Sequence, residues 1–102
     1  RLKQSPFSLL CVVVDQLPAL RQAGGEVGAV AALRPVATML REELSHGDLI
    51  GRGGPDGFLV LAPGKKLLQA REYADRLREA VSHMVVDPRI APMLTISVGI
   101  AQ

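Results

Sequence analysis

Asp15 and Asp56 are the two side chains whose types and placement could carry chemistry. Asp15 closes the apolar run FSLLCVVVD, and Asp56 lies in the turn-forming stretch RGGPDG. Carboxylates brought together at one end of a sheet could hold a divalent cation through hard oxygens, as phosphoryl-transfer sites do. Aspartate is also common at strand ends and in turns, so a purely structural reading stands beside the metal reading. Arg52, Lys65 and Lys66 could meet phosphate, yet an edge-strand arginine and lysines opening a helix also serve as solvated or ion-paired charges. His46 and His83 have no cysteine or acidic partner at metal-ligand spacing. Cys11 sits inside an apolar run with no base nearby in sequence and reads as a small buried hydrophobe.

The elements that must position these residues follow from periodicity. Phe7 to Asp15 is short, apolar and rich in β-branched residues, which suits a central strand buried on both faces. Pro18 limits helix to the stretch after it, and Gly24-Gly25 punctuates the chain before a helical pattern begins. There Val30, Leu33, Val36, Ala37, Leu40 and Leu44 recur at three- and four-residue steps, and Gly47 ends the helix. Asp48 to Gly51 and Phe58 to Ala62 are short apolar runs forming a β-hairpin. Pro55 suits the second position of its turn, Asp56 the next, and Gly57 the left-handed position that closes a bulge. Leu67, Ala70, Ala74, Leu77, Val81 and Met84 then line a second amphipathic helix. Pro88 and Pro92 exclude helix beyond it, and LTISVGIA, Leu94 to Ala101, alternates as a last strand with Ser97 and Gly99 where packing is close.

This order is the βαββαβ plan of an α/β (α+β) ferredoxin-like or palm sheet, antiparallel and covered by flanking helices. In that plan the first and third strands are central antiparallel neighbours. The end of the first, at Asp15, then meets the turn that carries Asp56.

Composition narrows the function classes. The 102 residues suit one domain with a single core. The net charge is only +2, with twelve basic residues scattered among ten acids, and Tyr73, Phe7 and Phe58 are the only aromatics, so a nucleic-acid platform is not expected. One cysteine builds neither a disulfide framework nor a thiolate cluster, which points to a reducing, cytoplasmic setting. No apolar stretch approaches the ~20 residues needed to span a bilayer, and no signal-peptide pattern opens the chain. The start at Arg1 without Met is expected of a piece cut from a longer protein.

The hairpin DLIGRGGPDGFLVLAPG resembles the signature of the GGDEF (diguanylate cyclase) family, in which an arginine, one residue and GGDEF precede a strand ending in Leu-Pro-Gly. KKLLQAREYADRLREAV is similar to the family's Ala-Glu-Arg-Ile-Arg helix, and LTISVGIAQ to its Thr-(Val/Ile)-Ser-Ile-Gly-(Ile/Val)-Ala strand. SLLCVVVD resembles the strand ending in the family's metal-binding Asp, and LRPVATML its Leu-x-x-Val-Ala-x-x-Leu helix.

The resemblance assigns the signature to Gly54, Pro55, Asp56, Gly57 and Phe58. Asp56 and Asp15 then fall on family acids and are the possible residual metal ligands, with magnesium as the implied ion. Gly57 replaces a second signature acid, and Pro55 replaces a glycine near phosphate. Leu17 stands where the family has another Asp, and Val30 replaces its base-reading Asp, which implies loss of guanine recognition. Ser45-His46-Gly47-Asp48 takes the place of the product-binding Arg-x-x-Asp motif, leaving Asp48 as a vestige without its phosphate-gripping arginine. The family's last helix would follow Gln102.

These substitutions imply a degenerate domain with no catalytic residue and no cofactor of its own. The expectation is a non-enzymatic regulatory or interaction module of a bacterial cyclic di-GMP signalling protein. It would act on a protein partner or attached domain, or pair as a homodimer. A receptor for GTP or cyclic di-GMP, and a weak metal-dependent cyclase using Asp15 and Asp56, are the alternatives.

Overall fold

In a computed structural model, residues 7–84 and 93–102 are described. Four strands and two helices follow the order β1 (Phe7–Val14), α1 (Leu17–Glu43), β2 (Leu49–Arg52), β3 (Gly57–Pro63), α2 (Leu67–Ser82) and β4 (Ile96–Ala101). The sheet order is β2-β3-β1-β4, with every pairing antiparallel. This is the expected βαββαβ plan, with β1 and β3 as the central pair. Pro88, Pro92 and the chain start at Arg1 lie outside the described residues.

Strand burial alternates. Ser8, Leu10, Val12 and Val14 of β1 are buried on the helix-covered face. Phe7, Cys11 and Val13 face the other way and are exposed among the described residues. A strand buried on both faces is therefore not what forms: period-two geometry sends alternate residues to opposite faces, and both described helices pack on one of them. Cys11, expected to be buried, follows the exposed parity.

The core joins Leu10, Leu17, Leu40, Tyr73, Leu77 and Leu94, each at most 1% exposed. Helix α1 begins earlier than Gly25 because Pro18 sits in its first turn, where a missing N–H costs no hydrogen bond. Gly25 then breaks the helix, with φ at 67° and ψ at −164°. Beyond that break Leu33, Val36 and Leu40 are buried as expected, together with Ala29 and Ala32, but Val30 is exposed. In α2, Ala70, Ala74, Leu77 and Val81 are buried as the periodicity indicates, while Leu67 is exposed and Tyr73 joins the buried face.

Candidate functional site

The hairpin turn meets the end of β1 as topology requires. Arg52 pairs with Phe58 across the ladder, Val13 pairs with Gly57, and the Val14 N–H donates to the Asp56 carbonyl at 2.9 Å. The turn closes through the Gly53 N–H and the Gly57 carbonyl at 3.1 Å. Its left-handed residue is Gly54, with φ at 71°, whereas Gly57 has no positive φ. The left-handed position expected of Gly57 thus falls to Gly54, and Gly57 is needed for close approach instead, because a Cβ there would lie 1.8 Å from the Val12 carbonyl oxygen. Arg52 braces the turn internally, donating from Nη2 to the Pro55 carbonyl at 3.1 Å and from Nε to the Gly57 carbonyl at 3.3 Å. Its guanidinium also stands 5.7 Å from the centroid of the Phe58 ring.

The two expected carboxylates belong to neighbouring backbone segments, but their side chains are held by different partners. Asp15 accepts from the Thr95 hydroxyl at 2.7 Å and from the Ser97 hydroxyl at 2.6 Å, so both of its oxygens are tied to the β4 side. Gln16 continues this stitching, its amide bonding Thr95 at both the backbone N–H (2.9 Å) and the hydroxyl (2.8 Å). Asp56 instead takes the Nη1 of Arg21, in the second turn of α1, at 2.6 Å. Arg21 also donates from Nη2 to the Pro55 carbonyl at 3.2 Å and from Nε to Glu26 at 2.9 Å. Its pKa is raised, first by the bond to Asp56 and next by that to Glu26, so the guanidinium stays charged.

This arrangement does not fit a divalent ion shared between Asp15 and Asp56. A hard cation needs carboxylate oxygens free to turn toward it, whereas both Asp15 oxygens accept hydroxyls and Asp56 carries a guanidinium at 2.6 Å. Among the described residues no three His, Cys, Asp or Glu side chains are grouped to hold a metal, and His46 and His83 are exposed.

Asp48, the acid that the resemblance assigns to product binding, lies inside a separate cluster. It precedes β2, accepts the Ser45 N–H at 3.2 Å, and pairs with the Lys65 ammonium at 3.4 Å. Its side chain is 1% exposed. Lys65 is thus an internal partner, with its ammonium 4.6 Å from the Tyr73 ring centroid, while Lys66 is exposed and caps α2 through a backbone bond to Gln69. Asp48 Oδ1 and the Tyr73 hydroxyl are buried without hydrogen-bond partners. Burial first, and the charge of Asp48 next, push the Tyr73 phenol up to about 12.

That shift has a definite sign. The unfolded chain releases the phenol proton near 10 and the folded chain near 12. The folded state therefore binds more protons in that window, and stability falls as pH rises through it. Melting temperature is expected to be insensitive to Tyr73 below this window and to decline across it. Comparison with Tyr73→Phe isolates the contribution, since that variant loses this component while keeping every other titration.

Val30, at the position that the resemblance assigns to base reading, borders an open groove of about 520 Å³ with Glu26, Val27, Ala31 and Arg34. Val30 offers no acceptor to a base edge, and the groove's one carboxylate, Glu26, is already paired with Arg21. Arg21 is the residue of this cluster that sequence reasoning missed. No local signal identifies it, because its partner Asp56 is 35 residues away.

Comparison with known proteins gives a consistent picture. The family model described as "Diguanylate cyclase, GGDEF domain" matches residues 1–102. The diguanylate cyclase DgcP of Pseudomonas aeruginosa is 31% identical over 94 residues, covering 90% of this chain and 14% of its own length. The diguanylate cyclase SiaD of the same species, solved in complex with its activator SiaC, superposes with a TM-score of 0.79 at 28% identity, covering 92% of this chain and 36% of SiaD. The GGDEF domain of FimX, also from Pseudomonas aeruginosa, superposes with a TM-score of 0.82 at 26% identity, covering 95% of this chain and 60% of that one. The chain therefore spans less than two thirds of each of these proteins, and only 14% of DgcP and 36% of SiaD. The expectation that it is not an enzyme is corrected by these matches, because relatives sharing the domain are named diguanylate cyclases.

Proposed function

Because the chain belongs to the diguanylate cyclase GGDEF domain family, we propose that it is a regulatory, protein-contacting module of a cyclic di-GMP signalling protein. One observation carries the reading: each acid that the resemblance assigns to metal or product is engaged within the chain. Asp56 is held by Arg21, Asp15 by Thr95 and Ser97, and Asp48 by Lys65. Side chains so engaged stabilise the domain and leave its outer surface for contacts with an attached domain or partner. The complex of the relative SiaD with an activator protein supports regulation through such contacts. A reducing, cytoplasmic setting belongs to the same reading, supported by the free thiol of Cys11. No described helix is long and apolar enough to cross a membrane.

The test uses the whole protein that carries this chain. Removing the domain is expected to change that protein's cyclic di-GMP output several-fold, and an unchanged output contradicts the reading. A second reading, cyclase activity through Asp15 and Asp56, is favoured by the names of the relatives. Its mark is magnesium-dependent conversion of GTP to cyclic di-GMP that disappears in Asp56→Ala.

A further inference from the structure

We propose that Arg21 is a built-in cation of the signature turn, supplying at Asp56 the positive charge that a divalent ion would otherwise bring and fastening α1 to the hairpin. Three of its donors converge on one cluster: Nη1 on Asp56 at 2.6 Å, Nη2 on the Pro55 carbonyl at 3.2 Å and Nε on Glu26 at 2.9 Å. A guanidinium suits this task because its planar fork reaches several oxygens at once and remains charged at any physiological pH. Its position is set by the fold, since Leu17, one helical turn before it, is fully buried and fixes the start of α1. The cation is tethered, so it competes at a high effective concentration with any free ion. Between Asp56 and Glu26 it balances one of two negative charges, and it occupies the space between them.

The oxygens that Arg21 gathers are themselves a hard donor set of two carboxylates and a backbone carbonyl. Removing the guanidinium leaves them mutually repelling and open to a divalent ion. This consequence concerns one side chain and its neighbours, and it holds whatever the module regulates.

The experiment titrates the folded chain with manganese ion alone, at millimolar concentration, and follows paramagnetic broadening of the backbone amides. In the native sequence no broadening centred on Asp56 is expected. Arg21→Gln is expected to broaden the amides of Asp56 and Glu26 selectively, and adding Asp56→Asn is expected to abolish the effect. Arg21→Lys keeps the charge but loses the fork, so intermediate broadening is expected, and this variant decides the matter if Arg21→Gln does not fold. Equal broadening at Asp56 in the native chain overturns the proposal. So does its absence there in folded Arg21→Gln, or in Arg21→Lys where only that variant folds.

Discussion

Gly57→Ala is expected to destabilise the domain by about 3 kcal/mol or more, at the upper end of what overpacking usually costs. A Cβ at this position would sit 1.8 Å from the Val12 carbonyl oxygen and 2.9 Å from its carbon. Both atoms belong to the backbone of a central strand and cannot rotate away. The central β1–β3 pair would have to separate at the Val13–Gly57 rung, near the Val14 N–H bond to Asp56. For a domain of this size a loss of that order lowers the melting temperature by roughly 12–24 °C. Gly99→Ala is the matched control: it lies in β4 of the same sheet, and a Cβ there meets nothing within 4 Å. Its effect is expected to stay within about 0.5 kcal/mol. Gly57→Glu, which would restore the second signature acid, meets the same backbone oxygen and is expected to cost at least as much. Thermal melts of the three variants check the ordering.

Asp48→Ala is expected to cost about 3 kcal/mol, because it removes one member of a buried ion pair and leaves the other without its counter-charge. The carboxylate is 1% exposed and the Lys65 side chain 16%, so water replaces little of the lost interaction. The same change deletes the acceptor for the Ser45 N–H, which organises the turn into β2. Lys65→Met is expected to be comparably damaging, since it strands a buried carboxylate that already has one unpartnered oxygen. The pair Asp48→Leu with Lys65→Met removes both charges, and its cost is expected to fall well below the sum of the single losses. Additive losses in urea unfolding would show that the two side chains act independently.

Much of this fold is legible in the chain. The β-branched runs, the turn residues of RGGPDG and the two apolar stripes yield the element order, and the βαββαβ plan then makes β1 and β3 neighbours. What remains hidden depends on parity and long-range contacts. An apolar run does not reveal which alternate residues face the helices, so Cys11 reads as buried although it is exposed. Val30 and Leu67 satisfy helical spacing yet lie at the rim of the stripe, while Tyr73 enters the core without matching the aliphatic pattern. Turn chemistry permits a left-handed glycine at either end of PDG. Only the strand spacing assigns that conformation to Gly54 and close approach to Gly57.

The site shows the same division. That the end of β1 meets the hairpin turn follows from topology, and the Val14–Asp56 backbone bond marks the meeting. The partners of the Asp15 and Asp56 side chains do not follow, because Arg21, Thr95 and Ser97 reach them from elements distant in sequence. Asp48 looks like a ligand-facing acid in the sequence and proves to be a buried one, since Lys65 arrives from the far end of β3.

Calorimetric titration of the chain with cyclic di-GMP is the most direct test of the view that these acids serve the domain itself. Carried to about 1 mM, it registers binding as weak as ~4 kcal/mol. With Asp48 buried against Lys65, no saturable heat is expected. Saturable heat that Asp48→Asn abolishes would contradict that view, because it would show the acid turned outward to a ligand.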